Sequence, residues 1–149
     1  MRSVVQRVKQ CSVSVDSKIT GSISKGLLVY LGVEKEDSHH DLKYLVDKIT
    51  GLRIFSDENG KMNLSVRDIV GEILVVSQFT LCADTRKGKR PSYNYAASPE
   101  IGEKFYELFV EEIKQAGIAV ETGIFGARMD VTYTNDGPVT ILLDSRKIF

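Results

Sequence analysis

Gly26-Leu27-Leu28-Val29-Tyr30-Leu31-Gly32-Val33 is an apolar run with no charged side chain, of a length that suits one strand. A strand with no polar face has no side to offer to water. It is therefore expected to be buried on both faces, inside a layered sheet covered by other elements. Upstream, Ser3–Val8 and Ser12–Asp16 alternate apolar and polar positions, which predicts two further strands, each with one face against a core. The N-terminal third reads as β-rich.

Downstream the period changes. Ser38, with Asp41 three residues on, reads as a helix start, and Leu42, Leu45, Val46 and Ile49 recur at helical spacing until Gly51. His39 and His40 fall in the exposed first turn. Adjacent histidines invite a metal reading, but no Cys, Asp or Glu constellation supports it, and no metal is expected. Asp57-Glu58-Asn59-Gly60 reads as a hairpin turn, because a calcium loop would need further spaced oxygen ligands and a closing Glu. A second helix starts at Ser98 with Pro99 at its first position, carries Glu100 at its positive end and stops at Gly117. Its expected buried face is Ile101, Phe105, Leu108, Phe109 and Ile113. Ile73–Val76, Ile118–Glu121, Met129–Thr134 and Val139–Asp144 complete about eight strands. Sheets packed on one another with two amphipathic helices over an outer face, a three-layer α/β arrangement, is the expected fold class.

The 149 residues suit a single domain spanning 1–149, since a chain of this size can bury a sizeable core without staples. Twenty basic and twenty acidic side chains cancel, so no global field draws in a polyanion, and any contact with RNA must come from a local patch. Cys11 and Cys82 read as small core fillers. With two thiols, no signal-like apolar region and no run of membrane-spanning length, the setting expected is cytoplasmic, with no membrane contact.

Two short stretches carry the chemistry. Asn135-Asp136-Gly137-Pro138-Val139-Thr140 puts a proline between two strand-like runs. Proline cannot donate to a ladder, which leaves a hairpin corner, an edge or a bulge open. Ser77-Gln78-Phe79-Thr80-Leu81 follows Ile73-Leu74-Val75-Val76, where a buried strand should end and where polar groups can be held at a cleft. The alternative is a continuing strand with Ser77, Gln78 and Thr80 on its polar face.

Together with Val4-Val5-Gln6-Arg7-Val8 and Lys87-Gly88-Lys89-Arg90-Pro91-Ser92, these stretches resemble the D-aminoacyl-tRNA deacylase family along essentially the whole chain. One departure is Tyr93, where the family pattern leads one to expect Phe. The resemblance implies a barrel-like pair of sheets, no cofactor, and a homodimer with its active sites at the interface. It implies that backbone N–H groups around Phe79 and Thr80 form an oxyanion site beside Gln78, with the 2′-hydroxyl of the terminal adenosine helping to activate water. Ser77 and Met129 would line the substrate site. Gly137-Pro138, in cis and followed by Val139, would reach from one subunit into the other and reject L-amino acids, braced by Arg7. Glycine would escape that filter, so glycyl-tRNA mischarged on tRNA(Ala) would be a substrate too.

Arg86, Lys87, Lys89 and Arg90 sit in a Gly- and Pro-containing loop. On composition alone they are a solvated charge run. Tyr93 and Tyr95 beside them offer a stacking platform for an unpaired base, and the resemblance turns Lys87, Lys89 and Arg90 into tRNA phosphate contacts. The residues themselves are poor in catalysts. No His lies near a nucleophile, so a Ser-His-Asp or Cys-His hydrolase finds no support, and nothing activates Thr80. The expected function is hydrolysis of D-aminoacyl-tRNA esters. The alternative from another class is a non-catalytic RNA-binding module of the same fold.

Overall fold

The computed structural model describes Met1–Phe149. Its elements are β1 (Arg2–Val15), β2 (Lys18–Ile23), β3 (Gly26–Gly32), α1 (His39–Gly51), β4 (Phe55–Ser56), β5 (Met62–Leu64), β6 (Glu72–Ser77), a 3-10 turn (Phe79–Cys82), α2 (Pro99–Gln115), β7 (Val120–Thr122) and β8 (Asp130–Asp144). β4 and β5 form a separate two-stranded ribbon around the Asp57–Gly60 turn, where the Gly60 N–H donates to the Asp57 carbonyl at 3.0 Å.

β1 is the spine of the main sheet. β3 pairs antiparallel with Arg2–Val8, β2 with Cys11–Val15, and β8 with nearly the whole length. β6 joins β3 in parallel and β7 joins β6 in parallel, each parallel crossover running through one helix. The sheet then curls until β7 meets β2. At Gly21 a Cβ would lie 2.6 Å from the Thr122 carbonyl oxygen, so only glycine permits that approach. The expected α/β, barrel-like arrangement under two helices is present, its packed sheets being one nearly closed sheet.

β3 behaves as its apolar run predicts. Leu27, Val29 and Leu31 face one core, and Leu28 faces another. The larger core lies between sheet and helices and joins these side chains to Leu42, Leu45, Ile49, Phe109 and Ile113. The smaller lies inside the curl and contains Val8, Val13, Leu74 and Val76. Burying each such side chain contributes on the order of 1.5–3 kcal/mol, which is why a strand without a polar face is stable only here.

Four expectations need correction. Ser3–Val8 and Ser12–Asp16 are one strand, because the β8 ladder runs on past exposed Lys9 and Gln10, with register shifts on either side of Val8. Met129–Thr134 and Val139–Asp144 are likewise one strand. Of the corner, edge and bulge left open for Gly137-Pro138, the bulge is what forms: Gln6 pairs with Thr140 and Val8 with Asn135, so Arg7 alone lies opposite the four residues Asp136–Val139. β2, with only two aliphatic residues around Gly21, gave no readable alternation. On α2 the buried face is Gly102, Phe105, Tyr106, Phe109, Val110 and Ile113, whereas Ile101 is 44% exposed. Tyr106 turns inward because its hydroxyl finds the Val75 carbonyl at 2.9 Å, so a residue counted as polar serves as core.

Candidate active site

The last ladder residue of β6 is Ser77, opposite Leu31. The Gln78 N–H then donates to the Leu31 carbonyl at 2.8 Å and the chain tightens into the 3-10 turn. The first N–H groups of such a turn have no acceptor within it. Those of Phe79 and Thr80 find no backbone acceptor elsewhere, whereas Leu81 donates to Gln78 at 3.2 Å and Ala83 to Thr80 at 3.1 Å. Two donors are therefore left for a ligand. The turn is anchored beneath by Cys82, fully buried, whose thiol donates to the Val33 carbonyl at 3.6 Å. Burial pushes both the Cys82 and Cys11 thiols up to about 11, so neither supplies a thiolate at neutral pH, in keeping with their reading as core fillers.

Beside the turn lies a cavity of about 460 Å³. Ser77, Gln78 and Phe79 form one wall, and the first turns of α2, with Ser98, Pro99, Gly102 and Tyr106, form the other. Leu31, Val33 and Val76 lie at its back, and the segment Phe125–Val131 closes a side. The only titratable lining residue is Tyr106, whose burial pushes it up to about 12. No side chain there acts as a base at neutral pH. The Thr80 hydroxyl accepts from the Gln78 side-chain amide at 2.5 Å, and an amide N–H cannot take its proton. His39 lies away on α1, its ring 5.6 Å from that of Phe105.

Ser77, Gln78, Phe79 and Met129 thus come together at one cavity, with Thr80 in the turn behind them. Arg7, Gly137, Pro138 and Val139 do not line it. They form a second group, in which Arg7 is 9% exposed and its Nε donates to the Asp136 carbonyl at 3.2 Å, while another of its nitrogens reaches the Ile54 carbonyl. Asn135 ties the ends of the bulge, donating to Gln6 at 2.9 Å and accepting from the Val139 N–H at 3.3 Å. The Gly137–Pro138 peptide is cis.

Lys87, Lys89 and Arg90 are exposed on a loop closed by a bridge between Asp84 and Ser92. Arg86 is not free, since Asp84 accepts from it at 2.9 and 2.7 Å. Tyr95 also accepts from Arg86, at 3.3 Å, while Tyr93 meets the Phe79 ring edge-on at 5.0 Å and so joins the loop to the cavity wall. Sequence reasoning missed Gly102, Tyr106, Phe125 and Ala127 as cavity residues. Gly102 carried a readable signal, because a glycine inside a strong helix costs about 1 kcal/mol and needs a reason. A Cβ there would stand 3.3 Å from the Phe125 ring, narrowing the cavity.

Fold and site define a class: an α/β protein with a largely apolar cavity that offers backbone donors and no side-chain base. The family model described as D-Tyr-tRNA(Tyr) deacylase matches residues 4–144. Proteins named D-aminoacyl-tRNA deacylase from Thermosipho africanus and Thermotoga petrophila are 60% and 59% identical over 149 residues, covering 100% of both chains in each case. The one from Aquifex aeolicus is 58% identical, covering 99% of this chain and 100% of its own. A solved structure of a c-Myc DNA unwinding element binding protein superposes with a TM-score of 0.92 at 42% identity, over 97% of this chain and 98% of the other. A probable eukaryotic D-amino acid tRNA deacylase shares the fold, with a TM-score of 0.81 at 19% identity over 95% and 97%. The chain belongs to the D-aminoacyl-tRNA deacylase family, and it is a hydrolase.

Proposed function

We propose that this hydrolase cleaves the ester joining a D-amino acid to the terminal adenosine of tRNA without a side-chain nucleophile. The observation that carries this reading is the pair of unclaimed N–H groups at Phe79 and Thr80, beside a cavity that lacks a base. Water attacks the carbonyl carbon and the oxygen gains negative charge, which the two N–H groups stabilise. The carbon–oxygen ester bond then breaks, the adenosine oxygen leaves with a proton, and a free D-amino acid remains. The neighbouring ribose hydroxyl helps to move the proton from water. Ser77 and Gln78 hold the nucleotide, and Phe79 and Met129 shape the space around it.

Gly137-Pro138-Val139, braced by Arg7, is read as the chiral wall of a partner subunit's site. Support comes from its absence from the lining of its own chain's cavity and from the outer edge of β8, which pairs with no strand but β1. A wall that excludes L side chains spares no small substrate, so glycine on tRNA(Ala) is removed as well. Lys87, Lys89 and Arg90 hold tRNA phosphates. No helix is long and apolar enough to cross a membrane, and the two cysteines are free thiols, which agrees with work in the cytoplasm on charged tRNA.

The test is incubation with D-tyrosyl-tRNA and L-tyrosyl-tRNA while free tyrosine is followed. Release from the D-ester alone is expected. The binding-only alternative has one point in its favour, that the neighbour at 42% identity is named for binding a DNA element. A binder would protect both esters.

A further inference from the structure

The 3-10 turn is held from outside the cavity by a side chain that none of the motifs contains. Arg2, at the start of β1, uses all three of its guanidinium nitrogens. Nη1 donates to the carbonyl of Leu81, inside the turn, at 3.1 Å. Nε donates to Asp144 at 3.2 Å, and Nη2 lies 3.3 Å from Glu34. Both carboxylates are nearly inaccessible, their side chains being 4% exposed for Glu34 and fully buried for Asp144, while that of Arg2 is 25% exposed. A planar fork clamped by two buried anions has little freedom left, so its third arm fixes the height of the Leu81 carbonyl.

The same polar cluster extends to the other cavity wall. Asp37 accepts from the Glu34 N–H at 2.6 Å, and Glu34 bridges Ala96, the neighbour of the cavity residue Ala97. Arg146 lies 3.7 Å from Glu34 and 3.5 Å from Glu36 and sends no hydrogen bond to the turn. A surface ion pair would matter little, yet a buried carboxylate left without its partner is costly, so Glu34 and Asp144 hold the Arg2 fork firmly between them.

We infer that Arg2 is a positioning residue for catalysis: through Leu81 it sets where the Phe79 and Thr80 N–H groups stand. This rests on the reading of those groups as the oxyanion donors. Stabilising a developing charge demands donors within a few tenths of an ångström, whereas binding the rest of the substrate does not. Loosening the clamp therefore acts on kcat and spares KM. Lysine cannot replace the fork, since a single ammonium does not span Leu81, Glu34 and Asp144 together.

The experiment compares Arg2→Lys, Glu34→Gln and Arg146→Ala with the unaltered enzyme on D-tyrosyl-tRNA, with backbone amide exchange followed at Phe79–Cys82. Glu34→Gln weakens one support of the fork at unchanged size and serves if Arg2→Lys does not fold. The result expected is a kcat lower on the order of tenfold to a hundredfold for Arg2→Lys, and lower by a smaller factor for Glu34→Gln. KM stays within about twofold, amide exchange in the turn quickens, and Arg146→Ala matches the unaltered enzyme. A folded Arg2→Lys or Glu34→Gln with unchanged kcat, or a loss of kcat shared equally by Arg146→Ala, would overturn the assignment. Activity lost from Arg2→Lys through a raised KM alone would do the same. Failure of the underlying reading shows separately, as an unaltered enzyme that releases no D-tyrosine.

Discussion

At Thr80 the side chain and the backbone offer different things. The hydroxyl accepts from Gln78, and the N–H stands without an acceptor in the first turn of a 3-10 segment. If the backbone performs the chemistry, Thr80→Ala retains substantial deacylation, because only the contact with Gln78 is lost. Thr80→Pro removes the N–H and lowers kcat on the order of a hundredfold or more, the usual cost of losing one oxyanion donor. Proline is tolerated in the first turn of a helical segment, so thermal unfolding and circular dichroism of that variant check that the loss is not one of folding. A folded but inactive Thr80→Ala, together with an acyl-enzyme trapped on the Thr80 hydroxyl of the unaltered enzyme and absent from the variant, would instead make Thr80 a nucleophile.

Among elements, α1 shows how a helix start couples stability to pH. Burial opposes ionisation of Asp41, but the hydroxyls of Ser38 and Ser145 and the Ser38 N–H bind the charged form and hold its carboxyl at about 2 rather than 3.8. The Ser38 N–H and hydroxyl approach it at 2.9 and 2.6 Å. A carboxyl depressed on folding contributes stability that is full above its unfolded value and lost as pH falls through the folded one. Ser38→Ala should therefore cost about 1 kcal/mol at neutral pH, and the difference from the unaltered protein should shrink between pH 3.8 and about 2. Urea unfolding at several pH values measures it, and a difference that grew on acidification would contradict the assignment. The loop at 84–92 calls for a different measurement. With Arg86 engaged by Asp84, three cations remain for phosphates, and replacing Lys87, Lys89 and Arg90 together by Ala should raise KM for every tRNA alike and flatten its salt dependence. An unchanged salt slope would return the loop to solvated surface.

On the scale of the whole molecule, the two motifs lie apart. Ser77, Gln78 and Phe79 line a cavity that Gly137 and Pro138 of the same chain do not touch. If the second motif serves a partner's cavity, two inactive variants, one altered at Gln78 and Phe79 and the other at Gly137 and Pro138, should regain activity when mixed. Each heterodimer then holds at most one site with both halves sound. No recovery, with subunit exchange verified by mass spectrometry, would mean that each bulge serves its own chain. The sequence by itself determined what neighbouring residues dictate: the start and period of both helices, the turn at Asp57–Gly60, the strand buried on both faces, and the motifs that carry the family. Those features rest on steric and hydrophobic preferences repeating every two or 3.6 residues, which are present in any short window. Only the tertiary structure decided that β1 runs through Lys9-Gln10 and that Gly137-Pro138 is a bulge in one long strand, since a ladder is continued by a partner more than a hundred residues away. It also decided that Gly102, Tyr106 and Phe125 share a cavity with Ser77, and that Arg2 reaches Leu81. These contacts follow from closure of the sheet and docking of α2, and no local period records which distant residues such packing will bring together.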